Sequence, residues 1–434
     1  MVGKGPGFKV SRKGSSKTVD GFPNPVDVFV VGGGPAGLAT AITARRHGLS
    51  VVLADGAVPP IDKPCGEGLM PDGVEALRDL GITIPEGEAY PFRGIRFVSD
   101  GIRAEAEFPR GTAYGIRRTH LHRVLLDHAA TCGVRLLWQA AVTGLHPEGA
   151  LVAGELVRAR WVVGADGASS RVRGWAKLDQ HELDAPQKKS RRFGFRRHYR
   201  VAPWTDFMEL HWGRHCQIYV TPVGREEVCL ALVSSSPKLR LRMDDALGEF
   251  PELSARLKDA EPASSERGAI TVTRKLRSVY RGRTVLVGDA SGGVDAITGE
   301  GICLGFRQAA LLGDCLASGD LARYQKGHRT LIRRPALMAR MMLFMAEHSH
   351  LRQRTMQVFQ SSPQSFAGML ALHVGEGSTR DHISNGIALG WRLLKACRIA
   401  DLSRAISTTV FRIPHEPAGS APPPVPGRGC NQGC

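Results

Sequence analysis

The six residues Gly32-Gly33-Gly34-Pro35-Ala36-Gly37 constrain this chain more than any other stretch. They stand directly after an apolar run, VDVFVVG (26–32), and directly before an apolar-periodic segment from Ala36 to His47. Strand, glycine turn and helix in that order predict a βαβ dinucleotide-binding unit. Gly32 permits the tight turn, Gly34 lets main chain approach a pyrophosphate, and Gly37 allows close helix–strand packing. The helix opening at Ala36 offers unpaired N–H groups and a positive dipole end to phosphates. SVVLAD (50–55) reads as the second strand. Asp55 ends it, 18 residues after Gly37, where an acid accepts hydrogen bonds from the adenosine ribose. That acid disfavours NADP as the held dinucleotide and leaves NAD and FAD open.

Downstream the pattern keeps alternating. A helix is expected from Pro71 to Leu80, strands over 93–108 and a helix from Thr119 to Cys132. Strands RLLWQAAVTGL (135–145) and ARWVVGAD (159–166) return to the first unit. From about 190 to 275 the character shifts, and HCQIYVTPV (215–223) with EEVCLALVSS (226–235) reads as an antiparallel pair. RTVLVGDA (283–290) is again a strand, and helices are expected over 300–317 and 331–360. The fold class is therefore α/β, a Rossmann-type domain with an inserted antiparallel-sheet substrate domain and C-terminal helices. Its expected parts are a cofactor domain over 25–185 and 281–335 and a substrate sheet over 186–280, to which strands near 90–110 contribute. A helical region follows over 336–414. Residues 1–24 read as a disordered basic tail and 415–434 as a Pro/Gly-rich one.

Two further motifs narrow the cofactor. VVGADGASSRVR (162–173) puts Asp166-Gly167 at a strand end, and RTVLVGDASGGVDAITGEGICLGF (283–306) puts Gly288-Asp289 at another. Over roughly 25–335 the sequence resembles the superfamily of geranylgeranyl reductases and group A, aromatic-hydroxylase-type flavin monooxygenases. The resemblance implies FAD, with Asp166 and Gly167 in one motif of its site and Gly288 and Asp289 in another. The chemistry agrees: a strand-terminal Asp289 can accept from a ribitol hydroxyl. Gly299, Gly301 and Ile302, at a helix start, can present N–H groups to the flavin's pyrimidine edge, where reduced flavin carries negative charge. The resemblance also implies that Arg118, in GIRRTHLHRVLL, lies along the cofactor and that Val142 flanks the adenine. Cys65-Gly66-Glu67-Gly68 resembles the cysteine-glycine loop of the reductases, which lies beside the flavin. Cys65, Gly66 and Gly68 thus join the candidate contacts, and Cys65 is the one candidate catalytic residue, a thiol able to tune the flavin or protonate a substrate.

One dinucleotide fingerprint is present, so the resemblance implies NAD(P)H as a visiting reductant. The reaction stays open between two chemistries, oxygenation and reduction of an isolated C=C bond. KPCGEG and TGEGI lean towards the reductases. Against them, Tyr219-Val220-Thr221-Pro222 lacks the Trp and Phe of the reductase Tyr-x-Trp-x-Phe-Pro signature, and Ala296 stands where both branches carry Pro. The balance falls to a monooxygenase acting on a lipophilic or aromatic small molecule, with a C=C reductase and a non-catalytic flavin protein as alternatives. Absence of a Trp-x-Trp-x-Ile-Pro segment argues against a halogenase.

Fifty-eight Lys and Arg against 41 Asp and Glu give a net charge of +17. Such a field favours anionic partners, an acidic carrier protein or a membrane surface among them. No zinc-finger or aromatic RNA-binding pattern points to specific nucleic acid. Seven Lys or Arg crowd KKSRRFGFRRHYR (188–200), read either as the charged outer face of a half-exposed strand or as a grip on an anion. Nine cysteines without CxxC spacing fit reduced thiols, and no metal site is expected. Without a secretory signal or membrane span, a cytoplasmic protein is expected, attachment to a membrane surface remaining open.

Overall fold

Val28, Phe29 and Val30 are fully buried, as a strand covered on both faces requires. In the computed structural model, which describes residues 18–19, 22–23, 25–179, 191–234, 242–378 and 380–394, this strand is the centre of a parallel sheet. The order across the sheet is Arg135–Trp138, Val51–Asp55, Val26–Val31, Glu155–Gly164, Thr284–Leu286, with Val30 opposite both Leu53 and Val163. The helix Pro35–Arg46 packs on this sheet and against the helix Gly301–Ser318. The two helices touch so closely at Gly313 that any Cβ there would overlap the Thr43 methyl. The expected tail over 415–434 lies outside the described residues. So does that over 1–24, save a ribbon pairing Thr18–Val19 with Phe22–Pro23.

Two expected elements are divided in the structure. The strand read over 135–145 becomes Arg135–Trp138 in the parallel sheet and Val142–His146 in an antiparallel hairpin with Gly149–Val152. The cause is local: Gln139 adopts φ 57°, and Ala140 N–H donates to the Asp55 carbonyl, so the chain turns away. The helix read over 331–360 is instead Leu321–Glu347 followed by Ser349–Ser361, with the break at His348. The first of these runs through Pro335, which marks no start.

The second sheet runs Glu261–Pro262, Arg191–Arg200, Glu227–Ser234, Cys216–Gly224, Phe207–Trp212, Gly94–Ser99, Ile102–Glu107. Arg267–Val272 also pairs with Arg191–Arg200. The helices Ser349–Ser361 and Pro363–Val374 lie against Ile102–Glu107. Phe366 packs between Phe97 and Phe359, at ring separations of 4.7 and 4.9 Å.

The basic strand corrects the reading of a charged outer face only in part: Arg191 and Arg200 at its ends are exposed, but the arginines between them turn inward. Arg192 and Arg196 are buried, Arg192 paired with Asp295 at 3.0 Å and Arg196 with Asp62. Arg197 reaches Asp244 and Glu266. These three arginines are paired with acids of the same chain; Lys188 and Lys189 lie outside the described residues. The six described cysteines are all free, and no described helix is long and apolar enough to cross a membrane.

Candidate functional site

The fingerprint glycines divide by what demands them. A Cβ on Gly32, itself at φ +110°, would come within 2.5 Å of the Ala165 carbonyl. One on Gly33 would strike the Trp138 ring, and one on Gly37 would overlap the Gly32 carbonyl oxygen. Protein packing therefore explains three of the four. Gly34 has ordinary extended backbone, φ −71° and ψ 175°, and a Cβ there would meet only Arg118 Nη2, at 3.9 Å. Neither conformation nor packing asks for glycine at 34, whereas a ligand pressed against the main chain would.

Around that opening the separated motifs meet. Asp55 accepts from Gly33 N–H at 2.7 Å and Ala57 N–H at 2.8 Å, one bond per oxygen, leaving each able to accept another. His122, kept neutral by burial, contacts the Gly33 carbonyl through Nε2 at 2.8 Å. Gly288, at φ +61°, sits over Ala36 so tightly that a Cβ would come within 2.7 Å of the Ala36 methyl. Asp289 is crowded by protein yet exposed, as a side chain lining a cleft is. Its carboxylate has no hydrogen-bond partner among the described residues. Burial raises its pKa, against the opposing pull of Arg118 and then Lys63. Arg118 opens the helix Arg118–Thr131 with its guanidinium buried and its Nε unpartnered.

The other sequence candidates are placed as follows. Gly167, at φ +84°, lies beside Lys63. Asp166 spends both oxygens on the Ser170 hydroxyl and the N–H groups of Arg171 and Val172, so its carboxylate caps a short helix. Val142 is buried in an apolar cluster with Val31 and Ala54. Gly299 is left-handed, and its N–H is already donated to the Ala296 carbonyl at 3.1 Å, which corrects its expected role as a donor to the flavin; Gly301 has open space where a Cβ would stand. The 18-residue helix Gly301–Ser318 begins there, and its N-cap, Glu300, gives no side-chain cap. The N–H groups of Gly301 and Ile302 thus stay available to a ligand.

Beneath the Cys65 loop lies a cluster that sequence reasoning missed. Glu67, held at φ 58°, is buried; it accepts from Arg118 N–H at 2.9 Å and contacts His198 Nε2 at 2.6 Å. His198 Nδ1 in turn meets Arg196 Nη1 at 3.0 Å and the Ser264 hydroxyl at 2.8 Å. Ligand atoms of Glu67, His198 and Cys229 lie within 4.8 Å of one another, a spacing a metal ion could use. Both imidazole nitrogens are already engaged and Arg196 supplies a cation, so the donor set reads as a hydrogen-bond network among protein groups instead. Cys65 itself borders the cleft, and burial raises its pKa, first opposed by Arg118, keeping the group as a thiol. Glu67 stood inside a motif already singled out. His198 lies in the basic stretch 188–200 noted for its charge, but nothing in the sequence ties it to Glu67, 131 residues away.

Two apolar cavities continue from this loop. One, of about 100 Å³, is bordered by Cys65, Gly66, Phe195, Ala296 and Gly299. The second, of about 20 Å³, lies between the second sheet and the helix Leu321–Glu347, with Met338 and Met342 on its wall. Met208 and Tyr219 line both.

The glycine cradle at Gly34, the exposed Asp289, the orphaned Arg118 nitrogen and the open helix start fit the phosphates, ribitol and flavin of FAD. Comparison with known proteins agrees. A family model described as "FAD binding domain" matches residues 25–321. The chain is 28% identical over 326 residues to a menaquinone reductase of Mycobacterium tuberculosis H37Rv, covering 68% of this chain and 78% of that one. It is likewise 28% identical over 329 residues to digeranylgeranylglycerophospholipid reductase 1 of Methanothermobacter thermautotrophicus, covering 70% and 80%. Among solved structures, the flavin-dependent brominase Bmp2 superposes with a TM-score of 0.70 at 18% identity, covering 87% of this chain and 99% of that one, a likeness of fold.

Proposed function

This chain belongs to the FAD-binding-domain family of flavin-dependent oxidoreductases, and from that premise we propose that it reduces an isolated carbon–carbon double bond in a lipophilic, prenyl-type molecule. The observation that carries the reading is the pair of adjacent apolar cavities that share Met208 and Tyr219 as walls, one of them reaching Cys65 and Gly299. An extended hydrocarbon fits such a space better than a compact polar ring does. The names of the two reductases, both matched over two thirds of this chain, support the same direction.

FAD, when bound and reduced by a visiting NAD(P)H, supplies two electrons and one hydrogen to the double bond. The chain's own residues supply the rest. Saturation needs one further proton, and the Cys65 thiol, kept protonated by burial, borders the cavity where it is needed. The Glu67–His198 pair behind it fixes the loop through Arg118 N–H and the Ile116 N–H bond to the Glu67 carbonyl. The apolar walls exclude water. The strongly basic chain suits a substrate drawn from an anionic membrane surface or an acidic carrier.

The oxygenase reading keeps one supporting feature, the Tyr219-to-Pro222 strand without the reductase Trp and Phe. Yellow holoprotein bleached anaerobically by NADH or NADPH, then given geranylgeraniol, distinguishes the two. The expected product is heavier by two hydrogens and forms without oxygen. A product heavier by one oxygen atom, formed in air only, would overturn the proposal.

A further inference from the structure

Eight large apolar side chains stand exposed among the described residues, and six of them crowd two of the C-terminal helices. Leu337 and Phe344 belong to Leu321–Glu347; Ile383, Ile387, Trp391 and Leu394 belong to a helix over 380–394. The last four recur at intervals of four, four and three, which sets them in one row along an α-helix. They are between 59% and 68% exposed. The helix turns its other side to the protein. Asn385 lies over Gly368, Leu389 packs on the central core, and the Arg392 guanidinium donates to the Ser365 hydroxyl. By their spacing these three stand about half a turn round from the row. An apolar row held in water by a helix already packed on its opposite side adds nothing to the fold, and such a row marks a surface that something else covers.

Charge decides what covers it. Over 321–394 the sequence carries ten Lys or Arg against three Asp or Glu. Arg380 opens the helix on the line of the row, and exposed Arg333 and Arg340 alternate with Leu337 and Phe344 along Leu321–Glu347. Asp381, the one acid of the 380–394 helix, lies off the row and accepts from the Ser378 N–H at 2.8 Å and hydroxyl at 2.7 Å. A second copy of this chain would bring the same positive excess to the contact and be repelled. A bilayer with anionic headgroups meets both demands at once. Acyl chains take the apolar row, headgroup phosphates take the guanidinium groups, and an indole suits the boundary between them. We infer that the helix over 380–394 is an interfacial membrane anchor, lying on an anionic lipid surface with Ile383, Ile387, Trp391 and Leu394 immersed and Arg380 among the headgroups. The anchor lies on the bilayer; no described helix is long and apolar enough to cross one. The inference stands on this surface alone, whichever reaction the flavin site performs.

The test is flotation of the full-length holoprotein with two sets of vesicles, phosphatidylcholine alone and phosphatidylcholine with an equal part of phosphatidylglycerol. The mixed vesicles are expected to carry the protein up the gradient and the neutral ones to leave most of it behind, with added salt weakening the binding. Ile387→Ser, at a side chain 68% exposed, is expected to lower the partition coefficient about tenfold with the thermal midpoint unchanged. Arg380→Gln is expected to lower it about fivefold, on the mixed vesicles only. Vesicles with brominated acyl chains give a second reading: they should quench tryptophan emission of the wild type and far less that of Trp391→Phe. Wild-type protein that stays below the mixed vesicles overturns the anchor. So does Ile387→Ser binding as tightly as wild type, or Trp391→Phe quenched to the same extent. A wild-type dimer in sedimentation equilibrium that Ile387→Ser splits would give the row to a second copy and overturn it likewise. None of these outcomes touches the double-bond reading, which product mass decides.

Discussion

The two ends of the cleft treat charge in opposite ways. At the phosphate end Asp289 is exposed and unpartnered among the described residues, and Arg118 Nε is an orphan facing it across the opening beside Gly34. Beneath the Cys65 loop the carboxylates of Glu67 and Asp62 and both ring nitrogens of His198 are engaged by protein partners, while Arg196 Nε stays unpartnered. A fold that pairs its carboxylates in one place and leaves Asp289 open in the next marks the open carboxylate as one a ligand can complete. The Glu67–His198 network instead holds a loop in position.

The sharpest way to break this contrast uses two glycines three residues apart. Gly37→Val is expected to abolish folding outright, since its side chain would collide with the Gly32 carbonyl. Gly34→Val is expected to fold with a thermal midpoint near that of wild-type apoprotein, yet bind FAD at least about a thousandfold more weakly. Circular dichroism melts beside a flavin titration read both. A Gly34→Val protein that keeps its FAD would erase the distinction between the two ends.

Glu300 gives the next largest effect, on stability. Its pKa of about 8 in the folded chain lies above the usual 4.5, so the unfolded chain binds fewer protons between those values and stability falls as pH rises. His373, with a folded value of about 4, has its own loss below pH 6.5, as pH falls. Between pH 6.5 and 8 the slope is therefore Glu300's, a loss of roughly 2 kcal/mol across that window. Urea melts at both pH values should show it in wild type and not in Glu300→Gln; equal slopes would place Glu300 in a wetter site. Asp289→Ala should weaken FAD by about ten- to a hundredfold, the range of one charge-assisted hydrogen bond, with the fold unchanged. The smallest effect is expected of Cys65→Ser, about tenfold on turnover with FAD affinity intact. Turnover that stays untouched would retire its role as proton donor.

The phosphate end was legible in the sequence because its constraints are local. Strand, glycine turn, helix and Asp55 follow one another, and each residue type answers to backbone geometry near its own position. Asp166 shows the limit of that reading, since a strand-end motif pointed to the cleft while the carboxylate turns back to cap its own helix. The basic stretch over 191–200 was harder still. Charge crowding suggested a solvated face, but Asp62 and Asp295, distant in sequence, draw Arg196 and Arg192 inward. The partnership of Glu300 and His373 spans 73 residues and two helices. Neither residue carries a periodic or composition signal, so only packing could bring it to view.

Whether the open end of the cleft is a flavin site is decided most directly by visible absorbance. Wild-type apoprotein is mixed with excess FAD, desalted, and its bound flavin counted against protein. The account predicts a yellow protein retaining one FAD per chain. A folded protein that emerges colourless, with the same thermal midpoint before and after exposure to FAD, would contradict it.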